Sequence, residues 1–207
     1  MRGVGVRTDA DEVRPDLVFG AVWKLDRRDI SSKHITVGVG IMTYYGWNVG
    51  ATTGARLFSR YVDKMTDIVI WLLAEGHKVR LLLGEQSDEF AVLAVRDRVR
   101  QKAGVSRDDC THRLVFEMVR SLPELAEQIV DTDVIIATRF HNIVCALMCE
   151  RPVISIGYAF KNDALMREIG MGEFCNDIET FDVEEVKAQF TRLLQCRSDA
   201  ARQIESK

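Results

Sequence analysis

Arg139 and His141 stand in the run Ala137-Thr138-Arg139-Phe140-His141-Asn142, which follows an apolar stretch. A guanidinium carries a permanent charge on a planar fork that matches phosphate or carboxylate. An imidazole can give or take a proton near neutral pH. Together they suit an anionic substrate whose reaction moves a proton. The plainer reading is a surface ion pair at Arg139 and a local packing or capping role for His141. Lys161, in Gly157-Tyr158-Ala159-Phe160-Lys161-Asn162, can add a second positive charge, or be a solvated loop lysine. Cys145 and Cys149 follow His141 at i,i+4 steps, but one helix cannot close a tetrahedral metal shell. No CxxC or HExxH occurs, so these thiols read as small residues on a buried helix face and no metal site is expected. Gly46, Gly50 and Gly54 lack dinucleotide-fingerprint spacing, and there is no P-loop, GxSxG or EF-hand pattern, so no cofactor is expected.

These residues need elements to hold them. The alternating β-branched run through Val37 and Val39 predicts a strand over 35–41. Helical spacing of Leu57, Tyr61, Met65, Ile68 and Leu72 predicts a helix over 55–74. Further strands are predicted over 78–84, 113–116, 133–138 and 152–157. Helices are predicted from a Ser87-Asp88 cap to a stop at Gly104, from Ser121 to about Asp131, and over 140–149, 163–169 and 183–196. The segment 43–54 reads as a loop carrying Tyr44, Tyr45 and Trp47, either a stacking wall for a sugar or base, or packing beneath an interface. Strand–helix alternation implies parallel crossovers. The expected fold is α/β: a doubly wound, Rossmann-like parallel sheet of about five strands. Ligands of such sheets sit beyond the carboxyl ends of the strands, where Arg139, His141 and Lys161 fall.

Composition narrows the function classes. The chain has 207 residues, a size that buries a real core unaided. Lys+Arg total 28 against 31 Asp+Glu, a net charge of −3, which argues against nucleic acid as a partner. Five scattered cysteines fit reduced thiols and a cytoplasmic location. Met1 to Ala10 has no apolar core, so no secretory signal is expected. No apolar run is long enough to predict a transmembrane segment.

A family resemblance rests on particular residues. The run Asp133 to Asn142, then Ala146-Leu147, then Arg151-Pro152-Val153-Ile154-Ser155-Ile156-Gly157-Tyr158 and Lys161, resembles the C-terminal half of the polysaccharide pyruvyl transferase family. That family carries an Arg-x-His signature, then a helix, an apolar strand and a Tyr-x-x-Lys segment. Upstream, Pro15-Asp16-Leu17-Val18-Phe19 resembles an element that precedes the second domain, so the resemblance runs from about Arg14 to Gly170. It implies a two-domain fold like that of GT-B glycosyltransferases, and transfer of pyruvate from phosphoenolpyruvate onto two sugar hydroxyls as a ketal. The setting would be exopolysaccharide or cell-wall glycan biosynthesis. It implies that Arg139 binds the phosphate or carboxylate of phosphoenolpyruvate, that His141 is the proton donor or phosphate-side acid, and that Lys161 is an extra anion contact. Residues 1–34 would be a connector and remnant of an N-terminal domain, and 35–207 the donor-side domain. The partners implied are phosphoenolpyruvate, a glycan acceptor, and a homo-oligomer or second-domain partner that completes the cleft. Two readings compete: a GT-B-type glycosyltransferase using a nucleotide sugar, and a non-catalytic binding or assembly module.

Overall fold

The structure, a computed structural model, describes residues 34–102 and 112–205. The expected connector, with its Pro15 to Phe19 block, and the expected stop at Gly104 lie outside the described residues. Strands are β1 (Thr36–Ile41), β2 (Lys78–Leu83), β3 (Leu114–Phe116), β4 (Val134–Ala137), β5 (Val153–Gly157) and β6 (Cys175–Asp177). Helices are α1 (Ala51–Ala74), α2 (Glu89–Lys102), α3 (Leu122–Val130), α4 (Phe140–Met148), α5 (Phe160–Glu168) and α6 (Val183–Glu205). Short 3-10 turns cover Gln86–Asp88 and Gly172–Phe174.

All strand pairings are parallel, in the order β3-β2-β1-β4-β5-β6. This is the doubly wound order, whose direction of travel reverses between β1 and β4. The expected architecture therefore holds, with one strand more than expected. Helix α1 packs against α2 and α6, and α4 packs against α3 and α5. Strand β4 explains why both faces need cover: Val134, Ile135, Ile136 and Ala137 are all fully buried, as an apolar run in a parallel sheet must be. Among the described residues no helix is long and apolar enough to cross a membrane.

Several boundaries differ from the expected ones, each for a physical reason. Helix α1 starts at Ala51 rather than 55, with Gly50 as its N-cap. Position 54, inside the helix, is a glycine where a Cβ would stand 2.8 Å from the Tyr45 carbonyl oxygen. Helix α5 starts at Phe160 rather than 163, and α6 continues past 196 to Glu205. Strand β6 is Cys-Asn-Asp, a sequence with no strand propensity. It exists because its backbone completes the edge of β5, with Ser155 opposite Cys175.

His77 is buried at the start of β2, where its Nδ1 accepts a hydrogen bond from the Ile35 N–H at 3.4 Å. Burial, with His34 nearby, lowers its pKa below the ordinary histidine value. A depressed value in the fold means that stability is full above the unfolded pKa and falls as pH drops through the folded one. Acidification from about pH 7 to about pH 5 should therefore lower the melting temperature. His77→Asn, which keeps an acceptor but does not titrate, should flatten that slope in thermal melts. An unchanged slope would remove His77 as its source.

Candidate functional site

The carboxyl ends of β1 and β4 form the switch point of the sheet, and side chains from three segments tie them together. Tyr61 reaches in from α1, fully buried. Its hydroxyl accepts from the Met42 N–H at 3.2 Å and lies 2.8 Å from the Thr138 hydroxyl. Burial pushes the Tyr61 phenol up to about 12, so it stays a neutral strut.

Asp88 provides the second tie. The sequence suggests a helix cap here. The structure instead places Asp88 in the 3-10 turn before α2, 0% exposed, with its carboxylate turned toward the switch point. Its Oδ1 accepts from the Thr43 N–H at 2.8 Å. Both of its oxygens engage Arg139: Nε to Oδ2 at 2.7 Å and Nη2 to Oδ1 at 2.8 Å. Glu85 approaches the same Nη2 at 2.9 Å from a more open position, 58% exposed against 17% for Arg139. The hydrogen bonds to Asp88 push the guanidinium pKa above its ordinary value, so the charge is permanent. Arg139 itself is the N-cap residue of α4, in extended conformation.

Glycines let these parts close up. A Cβ on Gly84 would stand 2.6 Å from Asn142 Oδ1 and 2.8 Å from Arg139 Cβ. A Cβ on Gly40 would stand 2.3 Å from Asn142 Nδ2. Asn142 is thus wedged between the ends of β1 and β2, fully buried, with no partner for either amide atom among the described residues. Asn162 occupies the matching place in α5, where its Nδ2 donates to the Thr138 carbonyl at 3.1 Å. The sequence carries an overlooked signal for this pair. The same Phe-x-Asn pattern opens both helices, as Phe140-His141-Asn142 and Phe160-Lys161-Asn162.

The three expected site residues have different surroundings. His141 is exposed and lines an open cleft of about 370 Å³. The other lining residues are Leu83 to Gln86 after β2, Val119 to Leu122 before α3, and Leu125. Lys161 is exposed, with Nζ 4.4 Å from the centre of the Phe140 ring. The Phe140 and His141 rings are 6.2 Å apart, so His141 and Lys161 border one aromatic side chain. Arg139 is half-buried, with its guanidinium engaged by Asp88 and Glu85. Of the aromatic loop, Tyr44 is buried with its hydroxyl on Glu179, Tyr45 stacks on Phe58, and Trp47 is 64% exposed beside Tyr158. Cys145 and Cys149 are buried, and burial pushes their thiols up to about 12 and about 11. Among the described residues no three His, Cys, Asp or Glu side chains gather as a metal site would require.

The sheet order and the residues at its reversal define a Rossmann-like domain with its candidate site at the switch point. Within that class, the polysaccharide pyruvyl transferase family profile matches residues 3–159, and the chain belongs to that family. No curated protein matches in sequence. Two solved structures resemble it in overall form. One is described as the glycotransferase of kitacinnamycin, 13% identical, covering 98% of this chain and 42% of that one, with a TM-score of 0.48. The other is a mutant of Thermobaculum terrenum O-GlcNAc transferase, 18% identical, covering 93% of this chain and 35% of that one, with a TM-score of 0.48. The chain thus spans well under two thirds of either, and a likeness this distant carries nothing about chemistry.

The buried Asp88–Arg139 pair yields a stability prediction. Removing one partner of a buried pair costs about 3–5 kcal/mol where the other charge is left unpaired, an upper bound here because Glu85 still meets Arg139 at 2.9 Å. Asp88→Ala should lose a large part of that amount in urea denaturation. Near-native stability in this variant would show that the pair does not hold the switch point together.

Proposed function

We propose that residues 35–207 act as the donor-side domain of a pyruvyl transferase. It would move the three-carbon unit of phosphoenolpyruvate onto two hydroxyls of a glycan as a ketal and release phosphate. Support comes from family membership together with one observation: His141 opens into the cleft beside the charged switch point.

The chemistry needs a proton at the methylene carbon of phosphoenolpyruvate, which creates an oxocarbenium-like centre at the adjacent carbon. A sugar hydroxyl attacks that centre, forming one C–O bond and giving up its proton to a base. The second hydroxyl then displaces phosphate and closes the ketal. An exposed imidazole on the cleft wall suits the proton-donating step. The start of α4 lacks a side-chain cap, so its first N–H groups remain available to an anion. Lys161 adds positive charge at the neighbouring strand end. Arg139 contributes by fixing the loop after β2 against the start of α4, since Asp88 occupies its fork. The glycan acceptor, and a second domain or second copy completing the opposite wall, belong to the same reading. So does a cytoplasmic, exopolysaccharide or cell-wall context.

Removing a general acid typically costs about 10²–10⁴-fold in rate. His141→Gln should therefore abolish nearly all ketal formation from phosphoenolpyruvate, followed by phosphate release, while calorimetric affinity for phosphoenolpyruvate changes only a few-fold. A wild-type rate in this variant would overturn the role of His141. Thermal stabilisation by nucleotide sugars, with none by phosphoenolpyruvate, would favour a glycosyltransferase instead.

A further inference from the structure

The cleft beside His141 poses an electrostatic problem. Arg139 is held by Asp88 through two hydrogen bonds and by Glu85 through an ion pair. Two carboxylates against one guanidinium leave that cluster formally acidic. Glu85 also lines the cleft, so an anionic donor entering there meets a carboxylate on the wall. A donor with several negative charges needs a cation that is not already spent.

The lining residues supply one. Among them only Arg120 and His141 can carry positive charge, and only Glu85 is acidic. Arg120 is exposed, and its guanidinium has no ion pair or hydrogen bond among the described residues. Its main chain, by contrast, is fixed. The Arg120 N–H donates to the Glu124 carboxylate at 2.8 Å, and Ser121 caps α3 by accepting from the Glu124 N–H at 3.4 Å. Arg120 therefore lines the cleft from a fixed main chain, with its guanidinium available to a ligand group. Val119, Leu122 and Leu125 give the same wall an apolar floor.

We propose that Arg120 is the anion-docking residue of this cleft. It takes one anionic group of a small phosphoenolpyruvate-type donor while His141 faces the reacting carbon from the other wall. Arg139 is then a positioning residue, acting through Asp88 and the loop after β2. This inference rests on the reading of the cleft as a phosphoenolpyruvate site. It adds a residue that neither the Arg-x-His signature nor the Tyr-x-x-Lys segment contains.

The test is calorimetric titration of the full chain with phosphoenolpyruvate, inorganic phosphate and pyruvate separately. A charged hydrogen-bond pair of this kind is worth about 10- to 100-fold in affinity. Arg120→Ala should weaken phosphoenolpyruvate binding by that factor with its melting temperature unchanged, and Arg120→Lys should recover part of the loss. Whichever of phosphate or pyruvate is weakened in parallel names the group docked. Wild-type affinity for all three probes in Arg120→Ala would overturn the role of Arg120 and leave the donor reading standing. Failure of the unmodified chain to bind phosphoenolpyruvate, together with stabilisation by a nucleotide sugar, would overturn both.

Discussion

The bidentate contact between Asp88 and Arg139 is the constraint on which the candidate site depends. Asp88 belongs to the turn after β2, Arg139 to the end of β4, and the Asp88 carboxylate also holds the Thr43 N–H after β1. One fully buried carboxylate therefore sets the spacing of three strand ends. A buried carboxylate is tolerated only when its lone pairs are met, and here a backbone N–H and a guanidinium fork meet them. The start of α4, and with it His141, inherits its position from this arrangement.

Glycine and asparagine complete the same frame. Gly40 and Gly84 remove the two side chains that would collide with Asn142. Asn142 fills the space they leave, although its amide has no partner among the described residues. A buried amide without a partner costs about 1–3 kcal/mol, so packing alone is a poor account of it. Asn162, its counterpart, ties α5 back to Thr138. Consecutive helices thus each place a buried asparagine at the strand ends, with His141 and Lys161 one residue earlier.

Electrostatics divide the site in two. Around Arg139 the charges are balanced or acidic, which suits a structural clamp. The cleft beside His141 holds Arg120 as well as Glu85, and Lys161 lies over the neighbouring Phe140 ring. The charge of the chain is near neutral overall, with Lys+Arg 28 against Asp+Glu 31. Local arrangement, not net charge, decides where an anion would be welcome.

Much of the fold was legible in the residues themselves. Val134 to Ala137 could only be a strand buried on both faces, and the alternation of strands and helices required parallel crossovers. The Arg-x-His and Tyr-x-x-Lys segments pointed to the family whose profile matches the chain. These features are local, so periodicity and spacing expose them. Strand β6 was not legible, because Cys175, Asn176 and Asp177 become a strand only by pairing with β5. Nor was the engagement of Arg139, since Asp88 and Glu85 lie far away in sequence and read as a cap and a loop. The same holds for Arg120, which shares a cleft with His141 because the parallel sheet brings the segments after β3 and β4 to the same end. Residue types and their spacing determined the class of fold, the family, and where along the chain to look. Which carboxylates engage Arg139, and which side chains share a cleft with His141, depend on distances between distant segments, and only the tertiary structure decided them.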